Sequence, residues 1–411
     1  MLTFHDAQER VLALAPRMGA ERVGLEQARG RVLAEDVLCP ADVPSFDGSS
    51  MDGYAVRAAD FAGDGPWDFP VHGESRAGGP PAELAPKSVC RIFTGAKLPP
   101  GADAVVMQEQ VTSPVGDFPG SREGVRARFV HPVSPGQFVR KRGADLRRDA
   151  LAIARGTRLR PAHIALAGTV DRAWLTVSRT PRVVVLATGD ELRSPGTASR
   201  GDDTGTIADS NTIGIAAMAR RTGAHVAIAP FVADDLKATM EAFEGALADA
   251  DVVISIGGVS VGDHDRVRPA LEGIGVVLDF YRVAMKPGKP LVLGKRGRSL
   301  VMGLPGNPVS AMVTFAFFGL PLLRAMQGDE NPLPRPQRAR MGRALVHEPG
   351  RLEFARASLT REGIATPLDN QASGAGAALA QADALVVIPA ECTQMAAGDE
   401  VDVYLLEELG A

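Results

Sequence analysis

Three stretches of the sequence decide the fold: RVVVLATGDEL (182–192), DVVISIGGVSVGDHD (251–265) and SLVMGLPGNP (299–308). Each begins with a nearly continuous run of apolar residues and then changes to glycine and polar residues. Apolar strands of this kind, alternating with helical segments, are typical of a parallel sheet that is covered by helices on both faces. Residues 178–329 therefore predict an α/β domain, with further strands at 224–229 and 291–294 and helices near 209–222, 235–249, 265–273 and from 308.

The chain on either side of this domain has a different texture. Short apolar runs broken by glycine and proline indicate a β-rich region before it, and β-like segments return after the proline-rich stretch at 332–338. A helix near the start, with Thr3 as its cap, precedes the first of these regions. We divide the chain into an N-terminal helix and connecting segment (1–39), a β-rich lobe (40–140), a connector (141–177), the α/β domain (178–329) and a C-terminal domain (330–411).

The composition excludes several classes of protein. The chain has 411 residues, of which 45% are hydrophobic and 23% charged, so wholesale disorder is not expected. A net charge of −4 and an aromatic content of 5% argue against a general nucleic-acid-binding surface. We therefore expect a multidomain globular protein.

The N-terminus and the cysteines indicate a soluble, cytoplasmic protein. Charged residues interrupt the first apolar segment, which is unlike a signal peptide. The most apolar stretch, 309–323, is shorter than a membrane span. Cys39, Cys90 and Cys392 are widely separated, so their spacing predicts neither a zinc site nor a disulfide scaffold.

Four polar loops are predicted to lie at one rim of the α/β domain. In an open α/β sheet, ligands bind beyond the carboxyl ends of the strands. Asn307 and Pro308 suit the start of a helix, whose free N–H groups favour an anion. The loops supply hydroxyls, carboxylates and two lysines, and they are TGDE (188–191), GGVSVGDHD (257–265), KPGKP (286–290) and LPGNP (304–308). Each alone is common as an ordinary turn, but together they predict an anion-binding domain able to hold a divalent metal.

Several standard catalytic motifs are absent or disfavoured. The sequence contains no P-loop, no GxGxxG opening a helix and no HExxH. GVSVG (258–262) matches the pattern of a nucleophile elbow, but the polar loop continues where a helix should begin, which disfavours a serine hydrolase. In the β-rich lobe, SMDGYA (50–55) and RIFTGA (91–96) taken alone are consistent with ordinary turns.

The order of these stretches resembles that of the molybdenum insertases. These are the molybdopterin molybdenumtransferases of molybdenum-cofactor synthesis, a family that includes the gephyrin E domain. The resemblance is close over 3–327 and thinner over 330–411, and it is carried by MDGYAVRAAD (51–60), IFTGAKLPPGADAVVMQE (92–109), LATGDEL (186–192), SIGGVSVGDHD (255–265), MKPGKP (285–290) and GLPGNPVSAM (303–312).

The resemblance implies a fold and a reaction. The fold would combine the β-rich lobe, a three-layer molybdopterin-binding α/β domain with a parallel-rich sheet, and a C-terminal β-barrel, within an elongated homodimer. The reaction would transfer molybdenum from molybdate to adenylylated molybdopterin in a Mg²⁺-dependent step that releases AMP. A molybdopterin adenylyltransferase would be the upstream partner, and neither nucleic acid nor a membrane would be involved.

The resemblance also assigns site residues by their position in the matching strings. Glu191, Asp234 and Asp265 would be catalytic and would hold the metal. Asp52 and Asp145 would also be catalytic, and the resemblance implies that the lobe carrying them completes the site of the partner subunit. Substrate-binding residues would be Thr94, Thr188, Gly258, Ser260, Arg282, Lys286, Lys289, Pro305, Gly306, Asn307 and Ser373.

Three residues and the function itself have alternative interpretations at this point. Asp234 also suits a helix cap, Arg282 stands where many relatives have lysine, and Ser373 lies in a stretch that matches poorly. Two other functions are compatible with the same fold: a non-catalytic scaffold or binding module, and a paralogue acting on a related nucleotide substrate. The presence of all three α/β acids and both lysines argues against a loss of chemistry.

Overall fold

A computed structural model describes residues 1–112, 125–197, 205–258 and 266–411. The chain forms two compact units. The first unit comprises residues 1–35, 155–160 and 174–411, and the second comprises residues 36–154 and 161–173. The N-terminal segment, the α/β sheet and the C-terminal barrel all belong to the first unit.

The N-terminal segment begins with the predicted helix. Helix α1 (Phe4–Leu14) starts after Thr3, whose Oγ1 accepts a hydrogen bond of 3.2 Å from the backbone N–H of Asp6. Its apolar face is buried through Phe4, Ala7 and Val11. Strand β1 (Ala20–Gly24) and a 3₁₀ turn (Leu25–Gln27) follow.

The second unit is rich in short strands, as its sequence predicts. Six of them form one sheet in the order β7-β4-β6-β5-β9-β8, around an aromatic core that includes Tyr54, Phe61 and Phe129. Its elements are β2 (Val37–Leu38), β3 (Gly48–Ser49), β4 (Gly53–Val56), β5 (Trp67–Ser75), β6 (Val89–Ile92), β7 (Ala104–Met107), β8 (Val111–Thr112), β9 (Arg126–Phe129), β10 (Val139–Arg140), β11 (Leu151–Ile153), helix α2 (Pro161–Thr169) and the 3₁₀ turns Ala58–Phe61 and Gln108–Gln110.

The first unit resumes with β12, which pairs with β1, and then forms the α/β domain. The elements are β12 (Trp174–Ser178), β13 (Arg182–Ala187), β14 (Leu192–Arg193), β15 (Ile207–Ala208), α3 (Asn211–Arg220), β16 (His225–Ile228), α4 (Leu236–Asp249), β17 (Val252–Ile256), α5 (Val267–Gly273), β18 (Val277–Arg282), β19 (Met285–Lys286), β20 (Pro290–Arg296), β21 (Ser299–Leu304), α6 (Pro308–Thr314), a π-helical turn (Phe315–Gly319) and α7 (Leu320–Met326).

The main sheet has the order β16-β13-β17-β21-β20-β18. The first four strands are parallel, whereas β20 is antiparallel to both of its neighbours. The predicted parallel-rich sheet is confirmed, and β20 is antiparallel because only two residues join it to β21 and a parallel connection needs a crossover. The sequence analysis also missed β18, an edge strand in which Phe280 is the one buried residue and Val277 is exposed.

The apolar stretch after β21 is a helix of the core. From Pro308 to Met326 it is 19 residues long with a mean hydropathy of 1.6, so it is longer than the predicted stretch and long enough to cross a membrane. However, 83% of that window is buried within the protein. Phe317 on this helix stacks on Phe354 with ring centroids 4.2 Å apart, and both rings contact Phe4. The surroundings are those of a core helix.

The C-terminal region forms the expected barrel. Five strands close in the order β24-β25-β22-β28-β26 and back to β24, and β19 of the α/β domain adds to β24 in parallel. The elements are β22 (Gln337–Met341), β23 (Leu345–Val346), β24 (Leu352–Leu359), β25 (Ile364–Pro367), α8 (Gly376–Ala380), β26 (Ala384–Ile388), β27 (Gln394–Met395), β28 (Glu400–Leu405) and α9 (Leu406–Leu409).

Candidate functional site

The main sheet has a topological switch point between β13 and β17. From β13 the chain crosses to β16 on one side and then returns to β17 on the other. A crevice therefore opens beyond the carboxyl ends of β13 and β17, where ligands of such sheets bind. The crevice contains a cavity of about 140 Å³. Its lining includes Thr188, Glu191, Asp209, Asn211, Gly257 and Gly306.

Close approach of backbone shapes the floor of this crevice. The N–H of Thr188 donates to the carbonyl of Ile256, at 3.2 Å, which ties the first loop to the second strand. Gly257 has a φ of 86°, and a Cβ there would lie 3.0 Å from the carbonyl oxygen of Thr188. The N–H of Gly257 donates to the carbonyl of Leu304 at 3.1 Å, which ties the second loop to the third. The three loops meet through backbone, and a side chain at Gly257 would separate them.

Thr188 carries a polar atom without a partner. Its residue is 6% exposed, and its Oγ1 has no hydrogen-bond partner among the described residues. Leaving a buried hydroxyl unsatisfied is costly, so a ligand atom or a water molecule is expected to bind it. Thr188 is one of the residues that line the cavity at the switch point.

The segment 209–211 is part of the site, although the sequence analysis did not select it. Asp209 is buried, and its Oδ1 accepts from the N–H groups of Asn211, at 3.0 Å, and Thr212, at 3.2 Å. Asn211 Nδ2 then donates to the carbonyl of Gly306, at 2.7 Å. An aspartate followed by polar residues before a helical segment is a capping signal that could have identified this wall of the crevice.

Two of the three predicted metal-binding acids, Glu191 and Asp234, are described, and they lie in the loops after β13 and β16. Asp235, not Asp234, caps α4, since its Oδ1 accepts from the N–H of Ala238 at 2.9 Å. Asp234 is therefore not needed as a cap. The carboxylates of Glu191 and Asp234 are exposed and have no hydrogen-bond or ionic partner among the described residues.

The chemistry of these two side chains fits a hard cation such as Mg²⁺, which prefers carboxylate oxygen. In the part of the chain that the structure describes, no three Asp, Glu, His or Cys side chains come close enough to form a metal site. A magnesium ion held by Glu191 and Asp234 would need further oxygen ligands. The predicted third acid, Asp265, and the predicted substrate-binding Ser260 lie outside the described residues.

The predicted basic residues have different surroundings. Lys286 Nζ lies 3.0 Å from Glu353 Oε1, a buried carboxylate of the barrel. Lys289 and Arg282 are exposed, and neither side chain has a partner among the described residues. Of these three side chains, Lys286 alone is held in place by contacts with described residues.

The barrel also contacts the loop before α6. Asn307 Nδ2 donates to Ser373 Oγ at 2.9 Å, and the N–H of Val309 donates to the carbonyl of Ser373 at 3.1 Å. Asn307 occupies the cap position of α6, but its side chain makes no capping bond. Pro305 is buried behind it, and Gly306 is exposed. Ser373 therefore lies next to the predicted anion loop despite the poor match of its surrounding sequence.

Two of the predicted residues of the second unit, Asp52 and Thr94, contact each other. Asp52 Oδ1 accepts from both the N–H and the Oγ1 of Thr94, each at 2.8 Å. The pKa of Asp52 is lowered, first by the Thr94 N–H, then by its hydroxyl and by the nearby Arg91. Asp145 is exposed and lies 3.6 Å from Arg140. The structure thus brings Asp52 and Thr94 together.

A larger cavity lies at the opposite ends of the main-sheet strands. It measures about 700 Å³, and its lining includes Arg17, Arg179, Arg182, Asp251 and Arg298. Residues 182, 225, 251 and 299 of its lining mark the amino ends of the strands. Because ligands of open α/β sheets bind beyond the carboxyl ends, we assign the site to the smaller cavity.

The chain matches known families and relatives along most of its length. Three family descriptions match in chain order: "MoeA N-terminal region (domain I and II)" over residues 2–170, "Probable molybdopterin binding domain" over 184–325, and "MoeA C-terminal region (domain IV)" over 338–406. The second contains the whole crevice at the switch point.

Similar proteins match along nearly the full chain. A molybdopterin molybdenumtransferase of Haemophilus influenzae is 37% identical over 87% of this chain and 85% of its own length. Molybdopterin molybdenumtransferase 2 of Mycobacterium tuberculosis is 36% identical over 98% of this chain and 99% of its own. The crystal structure of the molybdopterin biosynthesis MoeA protein from Pyrococcus horikoshii superposes with a TM-score of 0.84 at 28% identity, covering 98% of this chain and all of that one. The chain belongs to the molybdopterin molybdenumtransferase family, the enzymes that insert molybdenum in molybdenum-cofactor biosynthesis.

Proposed function

We propose that this enzyme transfers molybdenum from molybdate to adenylylated molybdopterin and releases AMP. The observation that carries the proposal is the crevice at the switch point of the main sheet. There the buried Thr188 hydroxyl, which has no partner among the described residues, and the backbone of Gly257 and Gly306 line the same cavity as Glu191, a combination suited to a phosphate-bearing ligand that binds with a cation.

In this proposal, the crevice binds the pterin or its phosphate. The Thr188 hydroxyl is available to donate a hydrogen bond, and Gly257, Gly258 and Gly306 leave room for the ligand to approach the backbone. Asn211 keeps the Gly306 loop in place through its 2.7 Å hydrogen bond. These contacts would fix the orientation of the substrate.

The cations of the rim would offset the negative charge of the substrates. Lys286 and Lys289 are candidates to bind a phosphate or molybdate oxygen through charge-assisted hydrogen bonds. Arg282 provides a planar, permanently charged group at a position where a lysine would offer a compact one, so its ligand geometry differs. Ser373 and Asn307 would contribute short polar contacts beside them.

Glu191, Asp234 and Asp265 would hold Mg²⁺ at the carboxyl-end rim. When bound, the cation would neutralise charge on the pyrophosphate link. A carboxylate of this set that is not bound to the cation would orient water toward the phosphorus atom of the pterin phosphate and accept its proton, so that the new P–O bond forms as the phosphoanhydride bond to AMP breaks. AMP is then the leaving group of the cleaved phosphoanhydride.

We also propose that the enzyme acts in the cytoplasm as a homodimer in which Asp52, Thr94 and Asp145 complete the site of the partner subunit. Mixing an Asp52→Asn protein with an Asp234→Asn protein tests this arrangement. If the sites are shared, each mixed dimer has one intact site, and random exchange should recover about a quarter of the wild-type rate. Sites built within one subunit would show no recovery. A molybdopterin adenylyltransferase would supply the substrate.

The function itself is tested by AMP release from adenylylated molybdopterin, with and without molybdate and with Mg²⁺ present or chelated. We expect molybdate-stimulated release that depends on Mg²⁺ and falls at least about 100-fold in Asp234→Asn. Asp235→Asn is the matched control. The carboxylate of Asp235 caps α4, so its replacement should affect stability alone. A folded protein that binds the nucleotide but releases no AMP would instead indicate a binding module or a different nucleotide substrate.

A further inference from the structure

A buried cluster of charged and polar side chains joins the barrel to the basic loop of the α/β domain. Lys286 Nζ lies 3.0 Å from Glu353 Oε1, and His347 Nδ1 lies 2.7 Å from Glu353 Oε2. The side chains of His347 and Glu353 are 0% and 6% exposed, whereas that of Lys286 is 39% exposed. We call these three residues the Lys286 cluster.

The backbone brings the members of this cluster together. Lys286 in β19 stands directly beside Glu353 in β24, in parallel register, and the N–H of Leu352 donates to the carbonyl of Ala284 at 3.1 Å. His347 is held by its own N–H, which donates to Thr393 at 2.8 Å. The ion pair therefore depends on a strand pairing and not on two long side chains meeting at a surface.

Burial makes this pair different from the surface ion pairs of the barrel. A buried carboxylate is costly unless both of its oxygens are satisfied, and here one accepts from the lysine and the other faces the histidine. With the proton on Nδ1, His347 donates to Glu353 and leaves its Nε2 as an acceptor, which has no partner among the described residues. This arrangement fixes the direction in which the carboxylate faces Lys286.

The remaining buried cation of β24, Arg356, interacts electrostatically with Glu353, but its guanidinium hydrogen bonds go to backbone carbonyls. The guanidinium of Arg356 donates to the carbonyls of Asn370, at 2.9 Å, and Ala372, at 3.2 Å, which hold the segment before Ser373. Glu353 is thus left to Lys286 and His347. Lys286 Nζ has three protons, of which one is directed to Glu353, so the partly exposed ammonium can donate to a ligand as well.

We propose that Glu353 and His347 are positioning residues that hold Lys286 Nζ toward a substrate oxyanion. The inference rests on the proposed function, since it assumes that Lys286 binds phosphate or molybdate. The inference adds that the barrel of the same chain controls the direction in which Lys286 Nζ points. Loss of either barrel residue should weaken oxyanion binding while the chemical step is largely retained.

The test is a double-mutant cycle on molybdate-dependent AMP release. We expect Glu353→Gln to raise the KM for molybdate about tenfold with little change in kcat, because one charge-assisted hydrogen bond to the lysine is lost. Glu400→Gln is the matched control, a barrel glutamate in an exposed pair with Arg340 at 3.6 Å, and it should leave both constants unchanged.

Non-additivity separates positioning from a general structural effect. If Glu353 acts through Lys286, the double variant Lys286→Gln/Glu353→Gln should be no worse than Lys286→Gln alone. His347→Asn, which can still donate from the position of Nδ1, should keep the wild-type KM, whereas His347→Leu should resemble Glu353→Gln. Additive losses in the double variant, or equal losses in the asparagine and leucine variants, would overturn the proposal.

Calorimetric binding of molybdate alone distinguishes this inference from the proposed function. If the wild-type protein releases no AMP, the proposed function fails whatever the variants do. The same proteins then show whether Glu353→Gln weakens molybdate binding about tenfold through Lys286. Equal molybdate affinity in the wild type and Glu353→Gln would contradict the positioning role.

Discussion

The two ends of the main sheet differ in what their carboxylates contact. At the amino end, Asp251 accepts from the N–H of Arg182 at 2.8 Å and lies 3.7 Å from its guanidinium. Glu21, in the same cavity, pairs with Arg31. At the carboxyl end, Asp209 also accepts from backbone N–H groups, but the carboxylates of Glu191 and Asp234 have no partner among the described residues.

This difference matters more than the size of the cavities. The amino-end cavity is the larger, at about 700 Å³ against about 140 Å³, yet its acids already stabilise the fold. Charged groups that the fold does not use are available to substrates and metals. We therefore read the amino end as structural and the carboxyl end as functional.

Glu191→Gln should produce the largest effect of the changes that test this reading. Replacing the carboxylate by an amide removes a charged metal ligand, so kcat should fall about 100-fold or more. The free energy of unfolding should change by less than about 0.5 kcal/mol, because the side chain is exposed and has no partner to lose. Steady-state AMP release and chemical denaturation measure the two quantities. Full activity in the variant would remove Glu191 from the site.

Gly257→Ala should have the next largest effect. The residue has a φ of 86°, and its new Cβ would lie 3.0 Å from the Thr188 carbonyl. We expect nucleotide affinity to fall about tenfold as the loops separate, together with about 1 kcal/mol of stability. Gly297→Ala at the amino end is the control, since its φ is 60° but no atom lies within 4 Å. It should lose stability only, as calorimetry and thermal unfolding can show. Equal loss of affinity in both would assign the effect to backbone strain.

Asp251→Asn should lower the stability and leave kcat nearly unchanged, the opposite of Glu191→Gln. The carboxylate loses its charge at a hydrogen bond to the Arg182 N–H, so we expect a loss of about 1 kcal/mol in the free energy of unfolding. The kcat for AMP release should stay within about twofold of the wild type, since no transition-state contact is removed. A large loss of kcat with unchanged stability would contradict the structural reading of the amino end.

Thr94→Ala should give the smallest effect, a change in the pKa of Asp52. It tests a carboxylate that has hydrogen-bond partners and is nevertheless a candidate catalytic residue. The pKa of Asp52 is lowered mainly by the Thr94 N–H, which the variant keeps, and then by the hydroxyl, which it removes. The pKa of Asp52 should therefore rise but remain below its ordinary value, as a carboxyl NMR titration would detect. An unchanged pKa would exclude the hydroxyl as a cause.

The sign of the pH dependence follows from this lowered pKa. Folding favours the ionised form of Asp52, so its contribution to stability is present above the ordinary pKa near 4 and is lost as the pH falls through the folded value. In Thr94→Ala this contribution should be smaller and should disappear at a higher pH.

The sequence predicts the elements whose patterns are strong. The buried runs 182–187 and 252–256 identify two central strands, and their polar endings place Thr188 and Gly257 at one rim. The switch point between β13 and β17 explains why a ligand-binding crevice is expected at that rim. By contrast, β18 lies at the edge of the sheet with one buried residue, and the direction of β20 depends on a two-residue turn. Local patterns carry little information about such edges.

Tertiary contacts of the site were harder to predict. Nothing in the sequence around Glu353 or His347 indicates that both face Lys286, because that contact depends on β19 pairing with a strand of another domain. The choice between Asp234 and Asp235 as the cap of α4 was also open, since either residue precedes the helix. Backbone geometry decides it in favour of Asp235.

The central claim is that substrate binds at the carboxyl end of the main sheet. A crystal structure of Asp234→Asn with adenylylated molybdopterin tests it most directly, because the variant should bind the substrate without consuming it. We predict electron density for the ligand between the loops of Thr188, Gly257 and Gly306. Density in the arginine-lined cavity beside Arg179 and Arg298, with an empty crevice at the switch point, would contradict the account.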